Sequence, residues 1–111
     1  MNRGDVYRME DPIAERGDKP GYYVVVSREE AVSNPRLSTV ICAPVYSEIL
    51  GLSTEVVLTT QEGLRHTSAL RCDLLSSIFK RRLTNLVGRV PRARMIELDA
   101  ALAEALGLPV L

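Results

Sequence analysis

Gly21-Tyr22-Tyr23-Val24-Val25-Val26-Ser27 is the stretch on which the fold reading turns. Tyr22–Val26 is an unbroken aromatic and β-branched run bounded by glycine and serine, which predicts a strand buried on both faces rather than a half-exposed alternating one. Working toward the N-terminus, Asp5–Met9 predicts a first short strand. The dozen residues between the two, Glu10 to Gly21 (EDPIAERGDKPG), read as a surface loop, long enough to suggest a function. Toward the C-terminus, Ser27 is a plausible N-cap for a helical turn through Glu30 and Val32, ended by Asn34-Pro35. Ser38–Val45 predicts a third strand with Pro44 near its end, since proline cannot donate to a ladder. Glu55–Thr59 predicts a fourth, Gln61-Glu62-Gly63 a turn, and Ser68–Leu74 and Asn85–Val90 two more strands. Between these two, Ser76 to Leu83 carries a strand end and then the basic turn Lys80-Arg81-Arg82.

After Pro91 the apolar period changes from strand to helix. Met95, Leu98, Leu102, Ala105 and Leu106 recur at helical spacing, with Gly107 just past the end. This predicts an amphipathic C-terminal helix of about four turns whose stripe packs on a core. Short antiparallel strands closed by one helix predict a mainly β protein curled into a small barrel, which hides its strand edges. At 111 residues the chain is expected to form a single domain over 1–111 with a modest core. No internal repeat is visible.

Fourteen Lys and Arg balance fourteen Asp and Glu, so the formal net charge is zero and the pI about 6.6. A nucleic-acid binder of this composition must therefore work through a local patch. Between Arg65 and Arg94 eight arginines and lysines, plus His66, face a single acid, Asp73. The two cysteines, Cys42 and Cys72, lie in apolar stretches without CxxC spacing, which favours two buried thiols over one disulfide. No signal-like segment precedes the first strand and no apolar run approaches 18 residues, so a cytoplasmic protein is expected. A glycine-rich phosphate loop, zinc-ligand spacing and a Ser-His-Asp set are all missing from the sequence, and no cofactor is expected.

The ordered set of local motifs resembles the MazF/PemK toxins. Arg3-Gly4-Asp5-Val6-Tyr7 resembles that family's opening "RGDVY/I", and Asp11-Pro12 its "DP". Lys19-Pro20 followed by Tyr23-Val24-Val25-Val26-Ser27 resembles its "RP" and "VVVS". Cys42-Ala43-Pro44-Val45-Tyr46-Ser47 resembles "VAPITS", Gly63-Leu64 with Ser68-Ala69-Leu70 resembles "GLxxxSxV", and Lys80 through Leu83 resembles "KxRL", with Gly88 after it. The tail from Leu98 to Leu108 is similar to the family's last helix. Each motif is weak alone, and the order of the whole set is specific.

The resemblance implies an SH3-like barrel of the MazF/PemK/CcdB type, a homodimer, an antitoxin partner whose tail lies across an RNA groove, and sequence-selective cleavage of single-stranded RNA (mRNA or tRNA) without a metal. Lys19 stands where the family has its catalytic arginine, and Tyr46 where it often has threonine. Ser47 follows Tyr46, and Glu15 best matches the acid of the first loop. These four are the expected catalytic residues. RNA supplies its own 2′-hydroxyl nucleophile, so such a site needs a base, a proton donor and positive charge beside the phosphorane. Lys19 would supply charge, Tyr46 a proton, a hydrogen bond or a stacking face, Ser47 orientation and Glu15 the base. Arg16, Arg65, His66, Lys80, Arg81 and Arg82 are the expected RNA contacts. Two other readings stay open: a same-fold toxin that poisons DNA gyrase by binding it, and an inactive barrel-shaped binding module.

Overall fold

The computed structural model describes residues 1–10 and 20–109. Seven strands form one antiparallel sheet: β1 (Asp5–Met9), β2 (Gly21–Val25), β3 (Thr39–Tyr46), β4 (Glu55–Leu58), β5 (Ser68–Arg71), β6 (Ser76–Phe79) and β7 (Leu86–Arg89). Their order is β4-β5-β3-β2-β1-β7, with β6 also on β3. Two helices accompany them, α1 (Glu29–Ser33) and α2 (Met95–Leu106). The sheet curls into the expected small barrel with a C-terminal helix, leaving it half open. No helix among the described residues is long and apolar enough to cross a membrane.

The double-sided burial expected of Tyr22–Val26 has a direct cause, because the central strands separate two cores. On one face Val6, Val24, Ala43, Val45 and Leu70 pack against Leu98 and Ala101 of α2. On the other, Tyr7, Met9, Tyr23, Val25 and Cys42 pack with Val32 of α1 and Ile78 of β6. Neighbouring residues go to opposite faces and both faces are covered, so the strand reads as continuously apolar.

Several local expectations need correction. Ser27 does not cap α1. Arg28 holds the N-cap position without a side-chain bond, and the Ser27 hydroxyl accepts the Ile41 N–H at 2.7 Å instead. The run Ser68–Leu74 stops at Arg71, where the Leu74 N–H turns back onto the Arg71 carbonyl, and Ser76–Phe79 is a strand in its own right. The reason is the length of β3. Its eight residues pair with β6 over Thr39–Cys42 and with β5 over Val45–Tyr46. Pro44 falls in the gap between these two ladders. Ile41 exchanges hydrogen bonds on the β2 side through both its N–H and its carbonyl, so three residues later Pro44 turns its missing donor to that gap. Helix α2 has twelve residues, nearer three turns than four, and begins after a 3-10 turn at Arg92–Arg94. Leu106 is 58% exposed rather than part of the core stripe. It sits about 80° round the helix from Leu98, at roughly 100° per residue.

Closure of the barrel depends on two glycines. After β4 the chain makes a 3-10 turn, Thr60–Glu62, and Gly63 follows at φ 96°. A Cβ on Gly63 would strike the Val87 carbonyl, and one on Gly88 the Glu62 carbonyl, so the backbones of this turn and β7 touch with no room for a side chain. Glu62, only 1% exposed, receives the Thr59 N–H at 3.3 Å and Arg94 Nη1 at 2.6 Å. Arg94 also donates to the Val57 carbonyl and to Glu97, which ties the start of α2 to the closing turn. Removing Arg94 would strand a buried carboxylate, at a cost of about 3–5 kcal/mol.

Candidate functional site

Beside the core that α2 covers, bordered by Val45 and Tyr22, lies a cleft of about 160 Å³. Its floor comes from the sheet: Arg8 on β1, Gly21 and Tyr22 on β2, Val45 on β3 and Ser68 on β5. Its rim comes from connections: Pro20, Ser47, and Arg65 with His66 in the segment leading into β5. The strand register explains the floor. Val6 and Arg8 share the inner face of β1 with their partners Val24 and Tyr22 on β2. The last inward position of β1 is thus the point where the apolar core gives way to polar groups.

Arg8 is the residue that sequence reasoning overlooked. Its Nε donates to Glu10 Oε1 at 2.7 Å, and its guanidinium carbon lies 5.3 Å from the centre of the Tyr22 ring. The hydrogen bond to Glu10 raises the guanidinium pKa, burial opposes this, and the Tyr22 phenol adds to the rise. In return Arg8 holds the Glu10 carboxyl below its usual range, with a smaller contribution from Arg65. The signal that could have found Arg8 was its parity: an arginine two places after Val6, on the same face of the strand. Ser68, buried, donates its hydroxyl to the His66 carbonyl at 3.0 Å and so steadies the rim.

The expected site residues divide. Ser47, Arg65 and His66 meet at the cleft. Glu15, Arg16 and Lys19 lie outside the described residues, although Pro20, next in the chain after Lys19, lines the cleft. Tyr46 leaves β3 on the face opposite Val45, so adjacent Tyr46 and Ser47 are turned apart. The Tyr46 ring stands 6.0 Å from the Arg71 guanidinium, which forms a two-point pair with Asp73 at 2.9 and 2.8 Å. Hydrogen bonds from Arg71 keep the Asp73 carboxyl below its usual range.

The basic turn does not line the cleft. Lys80 Nζ donates to the carbonyls of Ala31 (3.0 Å) and Asn34 (2.9 Å) at the end of α1. Arg81 stacks on Phe79, 4.3 Å from its ring centre, and Arg82 completes the 3-10 turn. A second basic hollow of about 210 Å³, with Arg3, Arg89 and Arg92, lies near the other end of β1, but Asp5 takes part in it. Both cysteines are free and buried, and burial pushes their thiols up to about 12, with Asp73 adding to the effect on Cys72. They are no nucleophiles at neutral pH.

Comparison with known proteins agrees with this geometry. The family model for PemK-like, MazF-like toxins of type II toxin–antitoxin systems matches residues 2–106. The "Probable endoribonuclease MazF5" of Mycobacterium tuberculosis is 36% identical over 104 residues, covering 93% of this chain and 90% of that protein. "Endoribonuclease MazF3" of the same species is 32% identical, covering 81% and 82%. Among solved structures, Mycobacterium tuberculosis toxin MazF-mt6 superposes with a TM-score of 0.81 at 25% identity, covering 96% of this chain and 99% of that one. A mycobacterial endoribonuclease solved with its cognate antitoxin shares the fold at a TM-score of 0.79 and 24% identity, covering 100% and 99%. A match that runs through nearly every residue, from the first strand to the last helix, establishes that this chain belongs to the PemK-like, MazF-like toxins of type II toxin–antitoxin systems.

Proposed function

We propose that this toxin is an endoribonuclease that cuts single-stranded RNA at the cleft, acting in the cytoplasm as a homodimer and held in check by a cognate antitoxin. The observation that carries the reading is the meeting of Arg65, His66 and Ser47 at one cleft whose wall begins directly after Lys19. The names of the two mycobacterial relatives favour RNA cleavage over gyrase poisoning or a purely binding role.

Cleavage by the 2′-hydroxyl would leave a 2′,3′-cyclic phosphate and a 5′-hydroxyl. Arg65, exposed at the rim, and Lys19 supply positive charge to the phosphorane. Ser47 orients a non-bridging oxygen. His66, the imidazole of the cleft, is the candidate to move a proton. Glu15, four residues before Lys19 in the sequence, is the candidate to pair with it as base. Tyr46, on the far face of β3, would reach the reaction only from RNA that crosses the end of that strand.

Incubation of labelled total RNA with pure protein in EDTA tests the reading. Discrete fragments with 5′-hydroxyl ends are expected, and intact RNA would refute it. Lys19→Ala should lower cleavage by roughly two to three orders of magnitude, as for one preorganised transition-state contact. A mass near twice 12.3 kDa by light scattering checks the dimer. An acidic antitoxin tail should bind the cleft rim with an association rate that falls as salt rises.

A further inference from the structure

The two arginines of the cleft have different surroundings. Arg65 is exposed and forms no ion pair with any described residue. Arg8 is enclosed, with its side chain 18% exposed, and is neutralised by Glu10. A phosphate gains most from a cation held in no close ion pair, and among the described residues of the cleft that is Arg65, which feels Glu10 only at longer range. An arginine whose charge is offset by a carboxylate beside the cleft suits a neutral polar ligand instead. Glu10 takes the Nε–H of Arg8 and the Tyr22 phenol engages a further N–H, so among the described residues the rest of the five N–H groups keep donors for a ligand edge. Those donors are parallel and a fixed distance apart. They fit two adjacent acceptors on one planar edge, and the Tyr22 and His66 rings at the cleft offer flat faces for a base.

We propose that Arg8 is the specificity-determining residue of the cleft, reading one RNA base that presents two adjacent acceptors while Arg65 takes the neighbouring phosphate. Guanine does so through O6 and N7 and cytosine through O2 and N3. Adenine and uracil set an N–H beside the acceptor on their pairing edges and so meet the guanidinium donor to donor. The proposal rests on the RNA reading of the cleft given above. It adds the residue that selects the base and the chemistry of that base.

The test maps the 5′ ends of fragments cut from RNA with a randomised window, for the native chain, Arg8→Ala and Arg8→Gln. In parallel, the affinity of short fluorescent RNAs is measured with guanine, 7-deazaguanine, cytosine or adenine at the preferred position. The native chain should require guanine or cytosine at one position. Arg8→Ala should flatten that preference by roughly ten- to a hundredfold, the discrimination usual for one two-point base contact. Arg8→Gln should move the preference toward adenine, whose N6 and N7 match the glutamine amide. A new preference cannot come from misfolding. Loss of binding on 7-deaza substitution identifies guanine, and no effect with a cytosine preference identifies cytosine. If RNA is cut but all three proteins share one base profile, or the native chain demands adenine or uracil throughout, Arg8 is not the reader. If base-selective, Arg8-dependent binding occurs without cleavage, the enzymatic reading fails and the role of Arg8 stands. If no RNA binds, both fall.

Discussion

Arg65-His66 and Lys80-Arg81-Arg82 look alike in the sequence, two basic clusters fifteen residues apart in a stretch with one acid, yet the fold uses them in opposite ways. The first stands at the rim of a cleft with its charge unspent on any described acid within ion-pair distance. The second is turned back on the protein: Lys80 closes the end of α1 through two carbonyls, and Arg81 lies on Phe79. A positive charge is available to a ligand only where the fold has not already satisfied it. Counting arginines cannot reveal that, because the partners here are backbone carbonyls 46 and 49 residues away.

The sharpest way to break this contrast is to exchange the two losses. Arg65→Ala with His66→Ala should reduce RNA cleavage by roughly two to three orders of magnitude. Thermal stability should move little, since both are exposed. Full activity in the double variant would place the chemistry elsewhere. Lys80→Met should do the reverse. Removing the ammonium leaves the Ala31 and Asn34 carbonyls without their donor, at a cost of about 1–3 kcal/mol, or several degrees of Tm. The cutting rate per folded molecule should hold. An RNA-specific defect with unchanged melting would return Lys80 to the binding surface.

A smaller difference lies in salt dependence. Arg65→Ala should lessen the slope of log affinity against log salt by about 0.7, one phosphate contact on a single strand. Arg81→Ala should leave the slope alone and cost at most about 1 kcal/mol of stability, the range of an exposed cation–ring contact. Equal slopes for the two variants would erase the distinction. The smallest effect concerns a third arginine, Arg71, which is occupied by a carboxylate. The Asp73 pKa is lower folded than unfolded, so the pair stabilises the protein fully above the unfolded value of about 3.9 and ceases to do so as pH falls through the lower folded value. Asp73→Asn should therefore cost under about 1 kcal/mol in urea unfolding at pH 7, and the cost should shrink as pH falls below the unfolded value. A difference that does not shrink on acidification would point to packing rather than charge.

Most of the architecture was legible because it depends on local rules. The apolar run at Tyr22–Val26, the change of period after Pro91 and the glycine at 107 each act within a few residues. β1 falls on Asp5–Met9 as its pattern says, and α2 ends where Gly107 takes φ 68°. The errors came where a distant partner overrode a local signal. Ser27 is a good cap by type, but the Ile41 N–H competes for its hydroxyl. Ser68–Leu74 is a strand by composition, but β3 demands two partners, so the chain turns at Arg71.

For the site the balance is reversed. The sequence by itself determined which chemistry is on hand: a lone histidine, serine and tyrosine side by side, loop carboxylates, arginines in excess over one stretch, and an ordered set of motifs sufficient to identify the family. Only the tertiary structure decided which of these meet. Strand alternation sends Tyr46 and Ser47 to opposite faces although they are neighbours in the chain. Register sets Arg8 opposite Tyr22, residues fourteen positions apart in the sequence. The curl of the sheet, held where Gly63 and Gly88 touch, brings Arg65 and His66 to the cleft that Arg8 and Tyr22 floor. Side-chain identity is written residue by residue, whereas a binding site is a matter of distances between strands, and those follow from how two covered faces of one sheet must close.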